Sequence, residues 1–98
     1  MIGVVFHERA SDEAVETFRY YEERVPGLGV SFLLDLEEAG RLIGEHPEAS
    51  PLVDGEIRRK LFRRFPYSLL YVVEPGRILV LAVAHHKRRP GYWRGLDT

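Results

Sequence analysis

The stretch Tyr67-Ser68-Leu69-Leu70-Tyr71-Val72-Val73-Glu74-Pro75-Gly76-Arg77-Ile78-Leu79-Val80-Leu81-Ala82-Val83-Ala84-His85-His86 decides the fold. Two runs rich in β-branched and aromatic residues flank Pro75-Gly76, a strong reversal signal, so the spacing predicts a hairpin of strands Tyr67–Glu74 and Arg77–His86. From Ile78 to Ala84 both faces of the second strand are apolar. Just upstream, Phe65-Pro66 marks another reversal, and Glu56 to Phe65 reads as a preceding strand, giving a three-stranded antiparallel meander. In that strand Ile57, Leu61 and Phe65 share one face with Arg59 and Arg63. Arg58, Lys60 and Arg64 share the other with Phe62, a mixture that an edge strand tolerates.

The N-terminal half has a different period. Ile2 to Phe6 is a short run without alternation and is expected to be a strand buried on both faces. Ser11, followed by Asp12 and Glu13, supplies an N-cap, and Ala14, Phe18, Tyr21 and Val25 then recur at helical spacing. Pro26-Gly27 stops this helix, and a second begins near Leu28, with Phe32, Leu36, Ala39 and Ile43 as its apolar stripe up to His46-Pro47. Glu16, Glu22, Glu23, Asp35, Glu37, Glu38 and Glu45 fall outside the stripes and are expected to form a solvated acidic face rather than a metal site. The fold expected is α+β and a single domain over residues 1–98, with an N-terminal strand, a helical hairpin and a three-stranded antiparallel meander packed on the helices. One helical hairpin covers one face of a small sheet. The other is left for the Tyr92-Trp93 segment, for a partner, or for solvent.

Composition narrows the chemistry. The chain has no cysteine, which excludes disulfides, thiolate catalysis and cysteine-based zinc sites and is compatible with a reducing cytoplasm. No export signal is visible, and the longest clean apolar run, Ile78 to Ala84, is too short to span a bilayer, so no membrane role is expected. The net charge of −1 conceals an asymmetry: residues 1–55 sum to −8 and residues 56–98 to +7. Such a split points to an anionic ligand at the basic half, against the plainer possibility that the halves neutralise each other.

Three features in the basic half carry possible chemistry. Arg58-Arg59-Lys60 with Arg63-Arg64, interleaved with Phe62 and Phe65, suits contact with phosphates and bases, although the same cations protect an edge strand from aggregation. His85-His86-Lys87-Arg88-Arg89 follows the apolar strand and lies at the rim of the sheet, where histidine serves as acid or base and the cations hold a phosphate. Because neighbours on a strand point to opposite faces, His85 and His86 cannot share one site if the strand reaches that far. Pro90-Gly91-Tyr92-Trp93-Arg94 pairs aromatics with cations, and Trp93 is the better candidate for closing the core. No metal or cofactor is expected: His7 and His46 lie apart from the histidine pair, and the chain has neither a glycine-rich phosphate loop nor a nucleophile elbow.

The element order, together with Arg64-Phe65-Pro66-Tyr67, Tyr71 and the string Leu81-Ala82-Val83-Ala84-His85-His86-Lys87-Arg88-Arg89-Pro90-Gly91-Tyr92-Trp93, resembles the RelE/ParE toxin family over nearly the whole chain. The ending is similar to that of members described as plasmid stabilisation proteins. The resemblance implies the toxin of a type II toxin–antitoxin system that arrests growth and is blocked by a cognate antitoxin. RelE-like members cut mRNA on the ribosome as metal-independent endoribonucleases, whereas ParE-like members inhibit DNA gyrase without being enzymes. The mRNA target stands first at this stage, with gyrase close behind and a non-toxic binding module that keeps only the fold as a third reading. On the nuclease reading His85, Arg88, Arg89 and Tyr92 are the catalytic candidates, and Arg58, Arg59, Arg63, Arg64 and Lys87 bind RNA or another target. Ser68 departs from the nuclease branch, which usually carries arginine there. Replacing His85 or Arg88 singly by Ala is expected to abolish growth arrest in an induced culture while leaving the chain folded. Retained arrest with a normal melting curve would sink the assignment.

Overall fold

The structure, a computed structural model, describes residues 2–88. Strand β1 (Gly3–Phe6) leads into helices α1 (Glu8–Arg24) and α2 (Leu28–Glu45), and strands β2 (Leu52–Asp54), β3 (Ile57–Leu61), β4 (Tyr67–Glu74) and β5 (Arg77–His85) follow. These strands form one sheet in the order β1-β5-β4-β3-β2. β1 runs parallel to β5, and every other pair is antiparallel. The α+β architecture is as the sequence predicts, with one extra strand: the three-residue β2 pairs with β3 across a turn at Gly55-Glu56. β3 is therefore not the edge. It also stops at Leu61 instead of Phe65, because Phe62 and Phe65 turn into the core and leave the strand line.

Other expectations are corrected in the N-terminal half. β1 is an edge strand with one exposed side, Val5 being 43% exposed, rather than a strand buried on both faces, since only β5 flanks it. α1 begins at Glu8, one residue after a β1 extension in which His7 N–H donates to Val80 O at 2.8 Å. The His7 ring caps the helix, its Nδ1 accepting from Arg9 N–H at 3.1 Å, so Ser11 lies inside the first turns instead of capping them. Val25 is the exposed C-cap residue and leaves the apolar stripe. In α2 the stripe is as read: Phe32, Leu36, Ala39 and Ile43 are all buried.

The helices pack on one face of the sheet against Tyr67, Leu69, Tyr71, Ile78, Val80 and Val83. On the far face, Leu70, Ala82 and Ala84 are buried as a second, smaller cluster with Ile57 beside it. Tyr71 pairs with Val80 but Leu70 pairs with Ala82, so Leu81 is an extra, bulged residue in β5. Helix α1 holds this bulge from the side that β1 no longer covers. Arg9 Nη1 donates to Leu81 O at 3.2 Å, and Glu13 Oε1 accepts from Val83 N–H at 2.8 Å.

The two turns that direct the chain are specified locally. At the β4–β5 reversal, Gly76 takes φ +78° beside Pro75, a backbone region that side chains disfavour. At the helix hairpin, the Glu22 carboxylate accepts from Gly27 N–H and Gly29 N–H at 2.8 and 2.9 Å, so α1 caps the start of α2. Glu22 is thus part of this clasp and not simply a member of the solvated acidic face. Gly29 has no room for a side chain, since a Cβ there would meet Phe18 O at 2.7 Å and Phe18 Cδ1 at 2.8 Å. Gly29→Ala is expected to cost about 1–3 kcal/mol by overpacking, read as a lower midpoint in urea unfolding with an unchanged slope.

Candidate target-binding surface

The site is built on an aromatic cluster at one end of the sheet. Phe62 stacks on Phe32 with ring centroids 5.7 Å apart, and Phe65 meets Tyr21 and Phe32 edge-on at 5.0 and 5.6 Å. Tyr67 packs edge-on against Phe32 at 5.2 Å, and His85 in turn packs edge-on against Tyr67 at 4.9 Å. Burial, reinforced by a hydrogen bond with Tyr67, pushes the Tyr21 phenol up to about 12, so it stays protonated at neutral pH. The two phenylalanines of Phe62-Arg63-Arg64-Phe65 point inward, and the two arginines between them are left exposed at the tip.

That tip is tied to α2 by a residue expected to face solvent. Asp35 is only 7% exposed, and its Oδ2 accepts from Arg64 N–H at 2.9 Å and Phe65 N–H at 2.8 Å. Consecutive amides converging on one carboxylate oxygen form a small anion nest. The sequence signal was present: Asp35 stands three residues after Phe32 and four before Ala39, on the flank of the buried stripe.

The second basic cluster sits beside the first. His86 N–H donates to Pro66 O at 2.9 Å, which brings the turn after β5 against the turn before β4. The Leu81 bulge sends His85 to the helix side and His86 to the far face, where His86 Nε2 lies 3.2 Å from the Oγ of the buried Ser68. The histidines therefore do not share a site, in keeping with the strand geometry. His85 Nδ1 accepts from Lys87 N–H at 2.9 Å, so a neutral ring carries its proton on Nε2. Burial, and then the charges of Lys87, His86 and Arg88, hold its imidazolium below the ordinary range.

The remaining candidates divide. Arg58 is committed internally, its Nη1 donating to Ser50 O at 2.7 Å and Glu48 O at 3.1 Å, where it secures the loop from α2 to β2. Arg59 lies opposite Leu70, on the far face, while Lys60 lies opposite Leu69 and borders α2. Lys87 and Arg88 are exposed at the end of β5. Arg89 and Tyr92, with the Trp93 assigned to core closure, lie outside the described residues. Among the described residues no three His, Asp or Glu side chains gather as a metal site, and no helix is long and apolar enough to cross a membrane.

The model of the ParE toxin family, the toxin of parDE type II toxin–antitoxin systems, matches residues 4–90. The chain belongs to this family. Its fold agrees: a solved chain described as the chromosomal ParDE toxin–antitoxin system from P. aeruginosa superposes with a TM-score of 0.76. That structure is 17% identical, and the match covers 87% of this chain and 96% of the other. No curated protein sequence matches. Membership of a family of type II toxin–antitoxin toxins implies an antitoxin as the chain's partner.

The lowered His85 value has a measurable consequence in this ParE-family chain. The native state keeps His85 neutral while the unfolded chain protonates it near the ordinary value of about 6.5. The unfolded state thus binds the extra proton, and the stability held at neutral pH falls as pH drops through about 6.5 toward the native value. Urea midpoints measured from neutrality to about pH 5.5 should fall less for His85→Gln than for the wild type. An NMR titration should find the His85 ring below the free value, and a value above it would remove this account.

Proposed function

We propose that this ParE-family toxin arrests growth by binding DNA gyrase and not by cutting mRNA. The observation that carries the reading is the arrangement around Ser68. A buried serine, hydrogen-bonded to His86, lies near the start of β4 on the far face, at the position where the nuclease branch that the chain resembles usually carries an arginine able to stabilise a charged phosphorane. His85 adds to the argument, because its Nδ1 is already engaged and its ring packs on Tyr67 on the opposite side of the sheet from Arg59. Away from the far face, an exposed rim of cations, Arg63, Arg64, Lys87 and Arg88, suits an acidic protein surface.

The mRNA-cleaving reading ranks second and rests on His86, an exposed imidazole on the same face as Arg59. The two separate cleanly. Purified toxin should inhibit gyrase-catalysed supercoiling, and primer extension on transcripts from arrested cells should show no new 5′ ends. Cleavage within codons, with supercoiling untouched, would overturn the gyrase reading. Absence of growth arrest on induction would return the chain to the non-toxic binding module.

A further inference from the structure

Most arginines described so far are used inside the molecule. Arg9 holds Leu81 O, Arg24 lies over the Tyr20 ring, Arg41 bridges Glu38 and Glu45, Arg58 holds the loop carbonyls and Arg77 pairs with Glu74. Arg63 and Arg64 differ. Among the described residues neither guanidinium makes a hydrogen bond or ion pair, although Arg63 lies near enough to Glu38 to assist Arg41 in holding that carboxylate low. Both side chains border a groove with Ser31, Leu34, Asp35 and Glu38, and Leu34 is 61% exposed there.

The backbone beneath these two arginines is held more firmly than their exposure requires. Phe62 and Phe65 anchor its ends in the aromatic cluster, and Asp35 takes both central amide bonds on one oxygen. A carboxylate buried between Phe32 and Leu36 carries a desolvation cost that an apolar residue would avoid. Helix packing alone does not call for it. What the carboxylate supplies is a fixed path for the Arg63-Arg64 backbone, and a cation pair set in place before binding loses less freedom on meeting a partner.

We propose that Asp35 is a positioning residue: it locks the Phe62–Phe65 turn so that Arg63 and Arg64 stand as one preset cation pair for an acidic patch on the toxin's protein target. This rests on the reading of the chain as a toxin that acts by binding. Asp35 itself touches no target. It acts through the two arginines, and a mutational cycle separates that role from a merely structural one.

Four full-length proteins are compared, namely wild type, Asp35→Ala, Arg63→Ala/Arg64→Ala, and the triple variant. Growth arrest on graded induction and inhibition of purified gyrase are the readouts. Asp35→Ala and the arginine pair variant should each lose about tenfold or more in potency, and the triple variant should be no weaker than the arginine pair variant. Asp35→Asn, whose amide oxygen still accepts both N–H bonds, should stay near wild type. If Asp35→Ala does not fold, Asp35→Glu takes its place in the same cycle, since one added methylene displaces the carboxylate while keeping its charge. Full potency in the arginine pair variant, additive losses in the triple, or a gain of potency on removing Asp35 would each overturn the proposal. If the wild type arrests growth but spares gyrase, the gyrase reading falls and the cycle is scored on growth arrest alone.

Discussion

The pinning of the β5 bulge by helix α1 is the constraint on which the surface depends. Arg9 and Glu13 sit one helical turn apart and reach the carbonyl of Leu81 and the amide of Val83, the stretch where β1 has already turned away. They satisfy backbone groups that would otherwise form an open strand edge. They also fix the position of the extra residue. Because side chains alternate along a strand, one inserted residue exchanges the faces of everything beyond it. His85 turns to the aromatic cluster and His86 to the far face for this reason alone.

From that exchange follows the division of labour in the basic half. The helix side of the sheet end is an aromatic block of Tyr21, Phe32, Phe62, Phe65 and Tyr67, and it supports the turns that carry cations. The far side is narrow-chained, with Ser68, Ala82 and Ala84 adjoining one another across β4 and β5. The total charge of residues 56–98 said little about which cations meet a partner. Internal commitment separates them: Arg58 carries the same charge as Arg63 but is tied to two carbonyls.

Much of the architecture was legible because its signals are local. The stripe Phe32, Leu36, Ala39, Ile43, the Pro75-Gly76 reversal and the two long strands all declare themselves within a few residues. What was hidden is either very short or set by a contact that the local pattern does not announce. β2 is only three residues long and exists through pairing with β3, His7 caps α1 where Ser11 offered the better local cap, and Asp35 turns inward because amides from another element await it. Phe62 and Phe65 defeated the alternation rule by leaving the strand for the core. At the site, the string from Leu81 to Trp93 carried the family, whereas the bulge at Leu81, which settles where each histidine points, is invisible to any reading of period two.

The parallel pairing of β1 with β5 also bears on how such a chain is made. Gly3 finds its partner at Arg77, near the opposite end of the described residues, so the earliest of the described strands waits for the latest of them. Loop closure of that span must be met before the contacts reward it. The same β5 brings Leu81 and Val83, without which Arg9 and Glu13 have nothing to grip. A nascent chain lacking β5 thus has no set face for its cations, and the surface takes shape only once β5 has been made.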